Sequence, residues 1–215
     1  MRGDRILIEE VHYQAARDIV ERILPLVEGC NRRYAITVAG EAGSGKSETA
    51  MGLAEIFKER GLVCVVFQQD DYFVYPPLTN EASRRKDISW VGPQEVRLDL
   101  LDEHIAAATR GKDAIIKPLV HYQEDCITEE RVTLGDAKVV IAEGTYTSLL
   151  KNVDLRVFIG RDWQDTYETR IKRGRDLLDE FNQEVMKIEH EIISKHKDIA
   201  DIVIERDFQV AFVTL

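Results

Sequence analysis

The chain has little cysteine: Cys30, Cys64 and Cys126 are the three in 215 residues. They are too few for a disulfide framework and too far apart for a metal-ligand set. Cys64 stands in an apolar run and reads as a small core residue, a usage that fits a reducing cytoplasm. Long hydrophobic runs are missing as well. None approaches the roughly 20 residues of a membrane span, and Ile6-Leu7-Ile8, followed by two glutamates, is too short for a signal peptide. Positive charge is also scarce: 29 Lys and Arg face 39 Asp and Glu, a net charge of −10. That argues against the basic surface of a nucleic-acid binder, and an anionic substrate would need a local basic cluster to overcome the global field. Internal repeats and low-complexity linkers are lacking. The five histidines show no ligand spacing, and His12, His190 and His196 read as helix-surface residues. What remains, 44% hydrophobic and 32% charged, is the composition of an ordinary globule. It suits one α/β domain over residues 1–215, with residues 1–33 as a helical extension packed on it. The expectation is a soluble cytoplasmic protein with no nucleic-acid or membrane partner.

Against that plain background one stretch stands out. Gly40-Glu41-Ala42-Gly43-Ser44-Gly45-Lys46-Ser47 is a complete G-x-x-x-x-G-K-S loop. An apolar run, Tyr34 to Ala39, precedes it as a buried strand. Ala50, Leu53, Ala54 and Phe57 follow at the spacing of an amphipathic helix, the strand-to-helix context the motif requires. Gly40, Gly43 and Gly45 let successive backbone N–H groups curl toward an anion, and the helix N-terminus adds partial positive charge. Lys46 is placed to reach β/γ-phosphates and the Ser47 hydroxyl to ligate Mg²⁺, with Glu48 completing the nucleotide-binding stretch. The loop predicts a bound nucleoside triphosphate.

Around it, short apolar strands alternate with helices: a helix over about 11–27 with Val11, Ile19, Val20, Ile23 and Leu24 inward, strands at 34–39 and 62–67, and Gly61 as a helix C-cap. A polar loop carries Pro76-Pro77 and Arg84-Arg85-Lys86, and Pro93 opens a helix to about Thr109. A strand at 114–117 leads into a small antiparallel excursion over 118–135. Strands follow at 139–142 and 155–159, with a short turn or helix at 147–150 between them. Helices at 163–178 and 182–196 come next, then short strands at 202–204 and 210–213. This order predicts an α/β fold of the P-loop NTP hydrolase type, a parallel sheet with helices on both faces and a helical lid near 163–180.

Chemistry in such sheets collects at the C-terminal strand ends. Asp70 and Asp71 close one strand, where an acid serves either to accept a hydroxyl proton or to help hold Mg²⁺. Glu143 closes another, before Gly144-Thr145-Tyr146, where a carboxylate faces the metal. Arg170, Lys172, Arg173 and Arg175 form a basic cluster that reads equally as a solvated helix face or as an arginine lid. Arg84 to Lys86 read as a solvated loop or as contacts for an anionic acceptor, and His121 as an acceptor-site candidate.

Taken together these stretches resemble the uridine kinase/phosphoribulokinase family of P-loop kinases. The resemblance rests on Gly40–Ser47, Gln69-Asp70-Asp71-Tyr72-Phe73, Val139 to Tyr146, Arg170–Asp176 and Ala200-Asp201-Ile202-Val203-Ile204. It implies ATP and Mg²⁺ as cofactors, Asp70 as the base on the acceptor hydroxyl, and Glu143 near the metal. Arg170, Arg173 and Arg175 would belong to the lid, and a homo-oligomer would be usual. The acceptor half departs from the pattern. Ser89-Trp90-Val91-Gly92-Pro93 has Val91 in place of the acid that grips ribose in uridine kinases. Pro118-Leu119-Val120-His121-Tyr122 has lost the tyrosine that meets the base. The expected activity is therefore transfer of a γ-phosphoryl group from ATP to a hydroxyl of a small metabolite, with Asp71, Tyr72, Trp90, His121 and Tyr122 on the acceptor side. A nucleoside kinase that reads its base with Trp90, Tyr72 or Tyr122 is the alternative within the class. A regulatory NTPase switch is the alternative outside it.

Overall fold

The computed structural model describes residues 6–167 and 179–214. Its centre is a six-stranded sheet in the order β2-β5-β1-β6-β7-β8. The strands are β1 Tyr34–Gly40, β2 Cys64–Gln68, β5 Val139–Glu143, β6 Leu155–Ile159, β7 Ile202–Ile204 and β8 Val210–Phe212. All neighbours run parallel except β8, which pairs antiparallel with β7 at the edge. Every residue of β1 is buried, as the continuous apolar run demands of a strand covered on both faces.

Period-2 alternation sorts the strand side chains into two cores. Ile36, Val38, Val139, Ile141, Val157 and Ile159 pack against α1 (Glu10–Gly29) and α2 (Lys46–Glu59). Ala35, Ala39, Val140, Ala142, Phe158 and Val203 face the other way, toward α4 (Leu98–Thr109) and Tyr146. In α1, Ala15, Ala16, Ile19, Val20, Ile23 and Val27 form the buried stripe, while Val11 is exposed rather than inward.

Three element expectations need correction. The polar loop after Pro76-Pro77 is a helix, α3 (Pro77–Lys86), because Pro77 at its first turn is preset for helical φ and gives up an N–H that has no partner there anyway. Pro93 opens only a 3₁₀ turn, Pro93–Glu95, and α4 begins at Leu98. Residues 114–117 do not form a strand of their own. They are the first half of β3 (Ala114–His121), which pairs antiparallel with β4 (Cys126–Thr133) from Ala114↔Thr133 to His121↔Cys126, apart from the main sheet. The last long helix, α5, spans Glu180–Ile193 and continues as a 3₁₀ turn, Ser194–Ile199. Most of the expected helix at 163–178 lies outside the described residues.

The hairpin is tied to the sheet by a buried ion pair. Lys117 Nζ sits 2.5 Å from Asp71 Oδ2 and 3.3 Å from Glu130 Oε2, and the Val120 amide donates to Asp71 Oδ1 at 3.1 Å. Asp71 therefore anchors β3. It belongs to the 3₁₀ turn Gln69–Tyr72 at the end of β2, so the same lock fixes the backbone that carries Asp70.

Candidate active site

The strand order brings three C-terminal ends side by side. β5 lies between β2 and β1, with Glu143 paired in register to both Gln68 and Val38. β1 runs into the glycine-rich loop, β2 into Asp70, and β5 ends on Glu143 itself.

In the loop, Gly43 and Gly45 have φ of +77° and +100°, left-handed values that only glycine adopts without strain. Gly45 caps α2, so the N–H groups of that helix open into the curl. A Cβ on Gly40 would come within 2.8 Å of Ser44 Oγ and 3.0 Å of the Ile159 carbonyl. The Lys46 ammonium folds back over the loop and donates to the Glu41 carbonyl at 2.8 Å. Among the described residues the buried Ser44 Oγ has no hydrogen-bond partner, a polar atom left over in a polar cradle. The loop thus fits a polyphosphate: it offers amides, an ammonium and a spare hydroxyl around one concavity.

Ser47 Oγ donates to Glu143 Oε1 at 3.1 Å. Glu143 is 5% exposed, and burial, helped by the negative charge of Asp70, pushes its carboxyl up to about 7, with Lys46 and Ser47 pulling the other way. Buried carboxylates are stable when they ligate a cation, so an oxygen-only pair of hydroxyl and carboxylate fits Mg²⁺. Asp70 is half-buried on its 3₁₀ turn at the end of β2, the strand that pairs with β5 up to Gln68↔Glu143, and its charge acts on Glu143. The structure brings Lys46, Ser47, Asp70 and Glu143 together.

The raised Glu143 carboxyl has a measurable consequence. Its pKa rises from an ordinary 4.5, so the protonated form is favoured in the folded protein. That stabilisation is complete below about pH 4.5 and is lost as pH rises through about 7. In Mg²⁺-free buffer, Glu143→Gln is expected to be more stable than the parent at pH 8, by up to about 3 kcal/mol, and to match it near pH 4.5. Urea titrations at both pH values check this; parallel pH slopes in the two proteins would show that Glu143 ionises as an exposed acid does.

Gln69 carries a role that its place at the head of the Gln-Asp-Asp-Tyr-Phe stretch does not announce. It is buried, and its Oε1 accepts from the Tyr146 amide at 2.7 Å. A Cβ on Gly144, whose φ is +153°, would lie 2.2 Å from Gln69 Cβ. The turn after Glu143 can therefore close on the β2 end only through glycine.

Of the other nucleotide-side candidates, Glu48 is buried on the first turn of α2, and Ala42 lies in the loop. Glu41 is buried and accepts from His190 Nδ1 of α5 at 2.6 Å; burial raises its carboxyl while His190 pulls it down. His190 is thus part of the loop's surroundings, and His12 and His196 are buried rather than on the surface.

The acceptor-side candidates scatter. Tyr72 is fully buried with its hydroxyl 2.8 Å from His104 Nδ1, a core residue rather than a contact for a substrate. Asp71, as the hairpin anchor, is likewise committed. Trp90 Nε1 donates to Asn80 Oδ1 at 2.9 Å and its ring tilts against Tyr75. His121 Nε2 lies 2.9 Å from Thr128 Oγ1, and Tyr122 sits in the hairpin turn. Arg84 is not in a solvated loop. It bonds both oxygens of the fully buried Glu95 and reaches Glu189 Oε1 at 2.9 Å. Arg85 pairs with Glu81 and Asp179. Arg170, Arg173 and Arg175 lie outside the described residues.

A parallel sheet with a curled phosphate loop between its first strand and the next helix defines a P-loop nucleotide-binding protein. Residues 35–212 match the model of the "Phosphoribulokinase / Uridine kinase family", and the chain belongs to that family, whose members are phosphotransferases acting on hydroxyl groups. Among relatives, it is 27% identical over 207 residues to the bifunctional alpha-galactosidase/sucrose kinase AgaSK of Mediterraneibacter gnavus, covering 89% of this chain and 22% of that protein. The chain therefore spans about a fifth of that relative. It is 24% identical over 188 residues to a uridine kinase of Bacillus thuringiensis (strain Al Hakam), covering 82% of this chain and 87% of the relative. A solved structure described as a "possible uridine kinase" from Bacillus stearothermophilus superposes with a TM-score of 0.60 at 18% identity, over 87% of this chain and 97% of that one. That likeness is one of fold.

Among the described residues no helix is long and apolar enough to cross a membrane.

Proposed function

We propose that this protein is an ATP- and Mg²⁺-dependent kinase that transfers the γ-phosphoryl group to a hydroxyl of a small, uncharged, polyhydroxylated metabolite. The observation that carries the reading is the convergence of the phosphate loop, the Ser47–Glu143 pair and Asp70 on three adjacent strand ends. The loop amides and Lys46 hold the phosphates and neutralise charge that develops during transfer. Ser47 and Glu143 hold the cation, which when bound supplies electrostatic stabilisation of the phosphoryl oxygens. Asp70 orients the acceptor hydroxyl and takes its proton. By the family resemblance, Arg170, Arg173 and Arg175, which lie outside the described residues, would belong to a lid that keeps water out.

The acceptor's character follows from what its half of the site can offer. Val91 is 4% exposed and Val120 is fully buried, so neither replaces the acid and the tyrosine with which uridine kinases hold a nucleoside. Arg84 and Arg85, two of the three cations in the Arg84-Arg85-Lys86 run, are committed to carboxylates. With a net charge of −10, this favours a neutral acceptor over a sugar phosphate. Two relatives carry the names of kinases for neutral polyhydroxy compounds, uridine and sucrose.

ADP release from ATP and Mg²⁺, measured against a panel of nucleosides, free sugars and sugar phosphates, tests the reading. The expected result is release above background with a neutral member of the panel. Release that depends only on a sugar phosphate would refute the neutral class. Slow release indifferent to every acceptor but altered by a protein partner would favour a nucleotide switch.

A further inference from the structure

The helix α1 lies before the family match, which begins at residue 35, yet it reaches the centre of the nucleotide site. His12, in its first turn, is buried among three elements. Its Nδ1 accepts from the Glu9 amide at 3.0 Å, which assigns the proton of the neutral ring to Nε2. That Nε2 edge lies against the phosphate loop: a Cβ built on Gly45 would be 2.9 Å from it. The ring also meets Phe208 edge to face, with centroids 4.9 Å apart. Phe208 comes from the turn between β7 and β8, and the Arg161 guanidinium lies over its face at 5.1 Å.

One turn further on, α1 and α2 touch through small groups. A Cβ on Gly52 would meet Ala16 Cβ and the His12 carbonyl at 3.5 Å each. The two helices thus approach with little between their backbones, so α2, whose N-terminus forms the loop, is held at both ends of its first two turns. Burial lowers the His12 pKa, with Glu48 and Glu9 opposing it and Arg161 adding to it. A neutral ring is what the single-proton arrangement needs.

From these contacts the geometry points to His12 as a positioning residue for ATP: the N-terminal helix braces Gly45 through the imidazole and so fixes the curl that receives the phosphates. The inference rests on the reading of the loop as a nucleotide site. Because the loop's amides must point inward before ATP arrives, loosening the brace weakens ATP binding more than it slows chemistry on bound substrate.

Three variants test it, with Kd for ATP by calorimetry, KM and kcat by ADP release, and Tm. His12→Ala is expected to raise Kd and KM for ATP by about ten- to hundredfold while kcat and the acceptor KM change less than about threefold. His12→Gln, whose amide N–H stands where Nε2–H was, is expected to recover most of the ATP affinity. Ile23→Ala, in the buried stripe of the same helix but remote from the loop, is expected to lower Tm and leave Kd for ATP unchanged. If His12→Ala lowers Tm without moving Kd, or if Ile23→Ala raises Kd as much as His12→Ala does, His12 only packs and the proposal is wrong. A parent protein that binds no ATP would refute the nucleotide reading itself, a separate outcome from parent binding that is indifferent to His12.

Discussion

Asp70→Asn is expected to leave ATP binding within about twofold and to reduce turnover by about 10²- to 10⁴-fold, the range a positioned general base contributes. The amide keeps the size and one acceptor oxygen of the carboxylate, so the 3₁₀ turn and the Asp71–Lys117 lock beside it stay intact. What is lost is the ability to take a proton. A second effect separates this role from simple damage. The charge of Asp70 helps to raise the Glu143 carboxyl, so removing it lets Glu143 ionise at lower pH, and the acidic limb of Mg²⁺-dependent nucleotide binding moves toward acid. Calorimetry over a pH series and steady-state ADP release measure the two effects independently. Turnover unchanged in Asp70→Asn would remove Asp70 from the chemistry, whatever happened to the pH limb.

Much of this arrangement is legible in the chain because it is local. The loop's glycines are required by backbone angles that other residues adopt only with strain, so their spacing alone announces the curl. The strands beside it are buried on both faces, and continuous apolar runs say so. Asp70 and Glu143 are visible because each ends such a run. What stays hidden depends on contacts between distant residues. Asp70 and Asp71 are neighbours of one type, yet a 3₁₀ turn advances about 120° per residue. One carboxylate is left within reach of Glu143, and the other is carried into a buried pair with Lys117, 46 residues away. No local pattern distinguishes them. Arg84 reads as a solvated charge because its partners, Glu95 and Glu189, come from elements 11 and 105 residues distant.

His12 illustrates the same limit from the other side. Its position in the first turn of an amphipathic helix suggests solvent, although the stripe from Ile19 to Ile23 in the same helix is plain from its spacing. The first turn of α1 overhangs the loop because the helices meet at Gly52 and Ala16, and small residues allow an approach that a hydrophobic stripe does not announce. The acceptor side resists for a related reason. The stretches that carry substrate contacts in similar kinases are present by position, but Val91 and Val120 are buried apolar groups there. The recognising residues must then come from surfaces that only folding assembles.

Lys46→Ala should be the most damaging change to the donor side. The ammonium lies over the loop, where it donates to the Glu41 carbonyl at 2.8 Å, and in the nucleotide complex it would donate to phosphate oxygens instead. Hydrogen bonds to charged groups contribute about 1.5–3 kcal/mol, so ATP affinity should fall by about 10- to 100-fold. Turnover at saturating ATP should fall by about 10²- to 10³-fold more, because the lysine also stabilises charge that develops only during transfer. Lys46 further opposes the upward shift of Glu143. Its removal therefore raises that carboxyl still higher and makes nucleotide binding more sensitive to acid, the opposite of the Asp70→Asn displacement. Calorimetric titration of both variants between about pH 6 and 8, the range around the raised carboxyl, reads the sign directly. Displacement in the same direction for both would show that Asp70 and Lys46 do not share a field with Glu143, and normal ATP affinity in Lys46→Ala would overturn the phosphate-loop assignment.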